Sequence, residues 1–396
     1  MRILIINNLY GRRAKGGAER IVQLEAEGLA EAGHEVLVLS LGYGAAPEGD
    51  LGVPGEASHV SGRAVGHVEL RVPNIYPYAD GVRHGAAAKF LWHLVDAFNL
   101  AGALSVRRAV RSFRPDVVHT HNLMGFGFLV PRALRRLGVR HVHTVHDVQL
   151  VNPSGLIPAG GSGPLMGVLE FLNSAVVSGL FGSPGTVTFP SVFMRELHCS
   201  RGFFRKSHFE TVPNPAPPVA PAQRFMPEDP LFLFVGQLEE HKGVRLLLDA
   251  WRNAALAGAT LEIAGSGTLS VAIDNDAGVV FRSRLSRREL TEAYGRASFV
   301  VIPSLVLENS PTVILEAFAA GTPVIAVNQG GIPELVRDGE NGLLSGIGRD
   351  ALVSALREAA AVSPDAWSAM SSAAKDAAGE RTVEGHLSRL MEIYRC

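Results

Sequence analysis

Short runs of consecutive apolar, often β-branched residues alternate along this chain with longer stretches whose apolar positions recur every three or four residues. The runs at 3–6, 36–40, 117–120 and 142–145 are strand-like, and 18–33 between the first two has helical periodicity. The same order returns in the second half. Runs at 231–235, 260–264, 299–302 and 323–326 alternate with helical patterns at 244–255, 287–297 and 312–320. Strands separated by helices pair in parallel, so the pattern predicts an α/β fold with two doubly wound parallel sheets. Between them, 212–230 reads VPNPAPPVAPAQRFMPEDP, and its prolines forbid a continuous helix or central strand. This linker divides the chain into 1–212 and 213–380. The remainder, 381–396, has apolar Val383, Leu387, Leu390 and Ile393 at helical spacing and is expected to pack back on the first domain. Domains joined in this way face each other across a central cleft, where ligands bind.

The connections are uneven. Two of them, 42–88 and 149–183, are long and rich in glycine and proline, which is where recognition commonly resides. Within the second, 165–181 is apolar but carries Glu170 and Asn173. A membrane-spanning helix needs about 20 mostly apolar residues, so a buried or interfacial helix is expected here instead.

Composition narrows the partners. With 396 residues, 47% hydrophobic, the chain is long enough for two cores. A formal net charge of −1 argues against a nucleic-acid binder that works through bulk electrostatics. Two cysteines, Cys199 and Cys396, cannot form a disulfide framework, and MRILIINN reads as a first strand and not as a signal peptide. A cytoplasmic protein is expected. Arginines cluster at Arg107, Arg108, Arg111 and Arg114 and again at Arg132, Arg135, Arg136 and Arg140, on predicted helices. They form either a solvated face or a surface for an anionic membrane, the inner face of which is the expected one.

The candidate chemistry gathers at strand ends. ENSPTVILEAF places Glu308 before a predicted helix and Glu316 on it, with Pro311 at the first helical position. At about 1.5 Å per residue, Glu316 lies roughly 8 Å from a helix mouth whose N–H groups attract anions. Alone, the pair fits either a capped core helix with two solvated acids or a site for an elongated phosphate-containing ligand. Gly16 and Gly17 open the first helix and let backbone amides approach a phosphate, although the dinucleotide spacing of glycines is absent. HTHN brings His119, His121 and Asn122 to a strand end, and TVHD adds His146 and Asp147; this set could hold a metal or line a pocket for sugar hydroxyls. FVGQLEEHKG puts Gln237, His241 and Lys242 at another strand end, and AGSGTL puts Gly265 at the next. Asp274–Asp276, DND, reads as a turn.

In their order and spacing, GGAERIV, GHEV, DVVHTHN, TVHD, VPNP, GQLEEHKG, AGSGTL, ENSPTVILEAFAAGTPVIA and GGIPELVRDGENGLL make nearly the whole chain resemble the retaining glycosyltransferases of family 4. That resemblance implies the GT-B arrangement of two Rossmann-like domains and transfer of a hexose-type sugar from a nucleotide-diphosphate donor to a glycan, lipid-linked or small-molecule acceptor. It implies retention of configuration, no essential metal and no cofactor. Glu308 matches the family's sugar-contacting glutamate, Glu316 the ribose-binding one, Lys242 the lysine on the diphosphate, and His121 the histidine near the transferred sugar. Backbone from Asn309 through Ser310 and Thr312 to Val313 would face the sugar and diphosphate, with Gly16, Gly17 and Gly265 also on the donor. One departure stands out: Gln237 replaces the family's usual arginine. A non-hydrolysing sugar-nucleotide epimerase of the same fold and a non-catalytic sugar-nucleotide binder are the alternatives.

Overall fold

The computed structural model describes residues 1–11, 16–42, 53–54, 58–60, 63–78, 80, 84–220, 224–270 and 278–396. Asp274–Asp276 therefore lies outside the described residues. The chain forms two compact units. Unit 1 comprises Met1–Gly155, Gly163–Val212 and Leu387–Cys396, and unit 2 comprises Leu156–Ser162 and Pro213–His386. The excursion of 156–162 into unit 2 has no signature in the sequence; it is held by backbone bonds from Ala159 N to Leu305 O and from Leu307 N to Ile157 O.

In unit 1 the strands are β1 (Arg2–Ile6), β2 (Glu35–Leu41), β3 (Val53–Pro54), β4 (Ser58–Val60), β5 (Arg63–Leu70), β6 (Val117–Thr120), β7 (Arg140–Thr144), β8 (Thr186–Phe189) and β9 (His208–Thr211). The helices are α1 (Gly17–Glu31), α2 (Ala86–Ala97), α3 (Leu100–Phe113), α4 (Val130–Leu137), α5 (Pro164–Phe181) and α6 (Val192–Ser200). The sheet runs β3-β5-β2-β1-β6-β7-β8-β9, with β4 also on β5. All pairs are parallel except β3 and β4 against β5. The long connection expected at 42–88 thus contains an eight-residue strand, β5, paired with β2. Its sequence, RAVGHVEL, mixes polar and apolar residues because one side of it is only partly covered.

Unit 2 contains β10 (Leu231–Gln237), β11 (Thr260–Ser266), β12 (Val279–Arg282), β13 (Phe299–Ile302), β14 (Val324–Val327) and β15 (Gly342–Ser345). Its helices are α7 (Val244–Ala254), α8 (Arg287–Arg296), α9 (Thr312–Ala319), α10 (Arg349–Ala360) and α11 (Pro364–Gly379), while α12 (Val383–Arg395) runs from unit 2 into unit 1. The sheet order, β12-β11-β10-β13-β14-β15, is that of a doubly wound dinucleotide-type sheet. Side chains alternate across it. Phe232 and Phe234 face α7, α10 and Trp367 of α11, whereas Leu233 and Val300 face Ile314 and Phe318 of α9.

Both sheets wind outward from a central pair of strands, β1 and β6 in one and β10 and β13 in the other. At such a switch point the following loops diverge to opposite faces and leave a crevice beyond the strands' carboxyl ends.

Candidate functional site

In unit 2 the crevice at β10 and β13 collects most of the expected residues. Lys242 follows β10 in a short 3-10 turn, and Glu308 lies in the loop between β13 and α9. Lys242 Nζ is 2.7 Å from Glu308 Oε1, and Ser304 Oγ donates to the same oxygen at 2.8 Å. The two charged side chains retain 32% and 16% exposure, so both ends remain reachable from solvent.

Backbone geometry aims them. Gly243 takes φ +76°, where any Cβ would lie 1.9 Å from Pro303 O. Gly330 takes φ +59°, where a Cβ would lie 2.2 Å from Glu308 O. Only glycine lets these segments close on the loop that carries Glu308. Gly331 N donates to Glu308 O at 2.8 Å, Gln329 Nε2 to Ser304 O at 2.6 Å, and Asn214 Nδ2 to Ser310 O at 3.2 Å. The loop is therefore fastened from three sides. Ser304, Gln329 and Asn214 were not singled out from sequence, although Asn214 lies in VPNP and Gln329 immediately precedes the GGIPELV motif.

Pro311 occupies the cap position, with ψ 119°, and not the first helical one, while α9 begins at Thr312 as expected. The proline still closes nothing off: the first N–H groups of a helix lack intrahelical acceptors, and those open at this mouth belong to Thr312 and Val313. Ile314 N turns back to Pro311 O at 3.1 Å. Asn309 is buried, while Ser310, Thr312 and Val313 are half-buried. On the helix, Glu316 Oε2 accepts from Tyr294 Oη at 2.8 Å, a partner no motif announced. Gln237 ends β10 exposed, and Gly265 crosses β11 where a Cβ would meet Gly236 O at 1.9 Å.

The remaining candidates lie in unit 1. Gly16 and Gly17 stand at the mouth of α1, but Gly16 N donates to Glu19 Oε2 at 2.7 Å. An anion there must displace that carboxylate. His121 follows β6 with only 1% exposure. Its Nδ1 lies 2.8 Å from His146 Nε2 and its Nε2 3.4 Å from Glu25 Oε2. His119 Nδ1 meets Tyr394 Oη at 2.6 Å, and its Nε2 meets Thr144 Oγ1 at 2.7 Å. Ligand atoms of Glu25, His119 and His121 lie within 4.8 Å of one another, close enough for a metal in principle. Both nitrogens of His119 are nonetheless engaged by hydroxyls, which describes a hydrogen-bonded network. Asp147 is not beside them as a ligand; it accepts from Gln149 N at 2.9 Å, and burial lifts its carboxyl to about 6.

Comparison with known proteins agrees with this architecture. Residues 15–218 match the model of Glycosyltransferase Family 4, and residues 229–361 match that of Glycosyl transferases group 1. A glycogen synthase from Mycobacterium tuberculosis is 28% identical over 379 residues, covering 87% of this chain and 82% of the relative. Sucrose-phosphate synthase from Thermosynechococcus elongatus superposes with a TM-score of 0.72 at 18% identity, covering 100% of this chain and 98% of the other. Anabaena HepE in complex with UDP-glucose superposes with a TM-score of 0.67 at 16% identity, covering 99% and 98%. The fold is GT-B, and with a family model spanning just over half of its length the chain belongs to glycosyltransferase family 4.

Proposed function

We infer that this glycosyltransferase moves a hexose-type sugar, with retention of configuration, from a nucleoside-diphosphate sugar to a hydroxyl of a glycan, glycolipid or metabolite, needing neither an essential metal nor a cofactor. The observation that carries this reading is the Lys242–Glu308 pair at the unit 2 switch point. The pair is partly buried but still meets solvent at both ends, so a ligand can reach each charge. A diphosphate offers Lys242 a more highly charged partner, and sugar hydroxyls offer Glu308 hydrogen-bond donors. The pair thus exchanges its internal contact for the two ends of one ligand. Beside it, the mouth of α9 supplies N–H groups for phosphate oxygens, and Glu316, steadied by Tyr294, is placed for the ribose diol. The UDP-glucose bound by HepE supports this class of donor.

As the bond from the anomeric carbon to phosphate oxygen breaks, charge grows on the diphosphate, and Lys242 with the helix mouth stabilises it. The acceptor hydroxyl adds on the face the phosphate leaves, and its proton passes to a phosphate oxygen. No protein nucleophile is then required. Gln237 donates a hydrogen bond without charge, which leaves Lys242 a larger share of the work. In unit 1, Glu25 and His146 fix the ring of His121, which serves the transferred sugar in this reading. Free, exposed Cys199 and Cys396 suit a reducing cytoplasm as the compartment.

A panel of nucleotide sugars tests the proposal. At least one should raise the melting temperature and be consumed, and the anomeric configuration of the product, read by NMR, should match the donor. No stabilisation by any nucleotide sugar, or an inverted product, would overturn it.

A further inference from the structure

Unit 1 carries exposed apolar side chains that lie outside the residues assigned to the donor. Helix α5 is long and apolar enough to cross a bilayer, yet one side of it is packed on protein. Glu170, Ser174, Val177 and Phe181, spaced at helical intervals, are buried, with Glu170 held by Asn152 at 2.9 Å. A helix fastened in this way lies along unit 1 and does not span. Its other side is bare: Leu165 is 77% exposed, Phe171 62% and Val168 57%, and only 22% of the helix is buried. The expectation of a buried helix at 165–181 is thus excluded, and the interfacial alternative stands.

Further exposed apolar and basic side chains lie on the three helices that precede α5 in the chain. Helix α4 packs beside α5 and α3 beside α4, with Arg135 donating to Phe181 O at 3.1 Å. On α2, Phe90 and Leu94, with Phe98 at its C-cap, follow one another at intervals of four, at 72%, 48% and 52% exposure. On α3, exposed Leu100 and Leu104 are followed on the same side by Arg107, Arg108 and Arg111, and α4 adds exposed Arg132 and Arg136. Neither carboxylate on these four helices faces outward, because Asp96 and Glu170 are both buried. Large apolar side chains bordered by arginines, with no exposed acid among them, match a headgroup layer over acyl chains.

We propose that α2 and α5, with the arginines of α3 and α4, dock unit 1 on the surface of an anionic lipid bilayer. A second copy of this chain fits the face less well. A two-fold interface sets each patch against itself and would bring the arginine rows of both copies together with no acid to separate them. A bilayer supplies apolar depth and negative charge in one surface. The docking stands apart from the chemistry in unit 2, and its test reads no turnover.

The test is co-sedimentation of the full chain with vesicles of phosphatidylcholine alone or mixed with phosphatidylglycerol. The chain should pellet with the mixed vesicles, much less with phosphatidylcholine alone, and binding should weaken as salt rises. Leu169→Asp with Phe171→Asp should abolish pelleting while melting temperature and donor binding hold. Each of Arg107→Ala, Arg108→Ala and Arg136→Ala should weaken binding to the mixed vesicles by about fivefold. Failure to pellet with mixed vesicles, equal pelleting with both kinds, or unchanged binding by the Leu169→Asp/Phe171→Asp variant would each overturn the proposal. So would sedimentation velocity showing a dimer that Phe171→Asp dissolves, in a chain that ignores lipid. A failure in unit 2 appears separately, as absent donor binding with docking intact.

Discussion

Units 1 and 2 share a winding scheme and differ in what they place at its centre. Beyond β10 and β13, unit 2 leaves Lys242 and Glu308 partly exposed and paired with each other, so each can change partner by a side-chain movement. Beyond β1 and β6, unit 1 encloses its polar groups. Asn8 N binds Asn122 O, Asn122 N binds Asn7 Oδ1, and His121 sits between Glu25 and His146. More histidines are buried under the same sheet, with Thr120 Oγ1 meeting both His141 and His143. The difference teaches that topology supplies a crevice in both units, while only unit 2 sets exchangeable charge at its rim, which is why the proposal places the donor there. Unit 1 buries much of its polar chemistry in internal hydrogen bonds and leaves some large apolar side chains of α2 and α5 outside its core.

The most forceful way to break this comparison is to remove the exchangeable charge. Lys242→Ala should lower turnover by about 10²–10³-fold, the scale on which a single stabilising group acts at a developing anion. Glu308→Ala should also depress turnover more than donor affinity. Steady-state rates with calorimetric donor titrations check both, and near-normal turnover in Lys242→Ala would remove its assigned role.

Next in size is the support beneath the loop. Gly330→Ala forces a Cβ toward Glu308 O in a left-handed conformation, and should cost about 1–3 kcal/mol of stability together with some turnover. Denaturant titration measures the first; an unchanged midpoint would mean the loop relaxes freely.

The buried histidines sharpen the contrast in a different way. Burial lowers His141 to about 3 and His198 to about 4, and holds His143 well below its ordinary 6.5. A lowered histidine contributes stability that is present above 6.5 and is lost as pH falls toward the folded value. Two carboxylates oppose this: burial raises Asp96 to about 7 and Asp147 to about 6. A raised carboxylate favours the folded state below its unfolded value near 3.8, and that contribution is lost as pH rises through the folded one. Over the acid range the lowered histidines, which include His93 as well, outnumber the two raised carboxylates, so falling pH should cost unit 1 net stability. Unit 1 should therefore open in acid before unit 2, as hydrogen exchange resolved by segment would show, and Asp96→Asn should steepen the loss. Simultaneous opening would deny the contrast in interiors.

The smallest effect belongs to Glu316, which the proposal gives to the ribose. Tyr294→Phe removes one hydrogen bond to Glu316 and should weaken nucleotide binding by about tenfold or less, since such bonds contribute about 0.5–1.5 kcal/mol. Glu316→Ala should weaken binding further with little change in the rate at saturation.

Much of this is legible in the sequence. Strands buried on both faces, such as RILII and FVVI, announce themselves as apolar runs, and the helices between them by their period. The outer strands did not. HFET of β9 and VVFR of β12 lie at sheet margins where only part of each strand is covered, so polar residues interrupt the pattern. At the site, motif positions located Lys242, Glu308 and Glu316. The bond between Lys242 and Glu308 spans 66 positions, and the supports from Ser304, Gln329, Asn214 and Tyr294 come from separate elements. Such pairings depend on how strands are ordered in the sheet, which local periodicity does not encode. Glu25 and Tyr394, which meet the histidines from α1 and α12, were hidden for the same reason.

The central claim is that unit 2 receives the donor through the loops after β10 and β13. Hydrogen–deuterium exchange with and without saturating nucleoside-diphosphate sugar tests it most directly. The account predicts protection concentrated at 236–243 and 304–316. Donor binding that protects only segments of unit 1, and leaves those two loops unchanged, would contradict it.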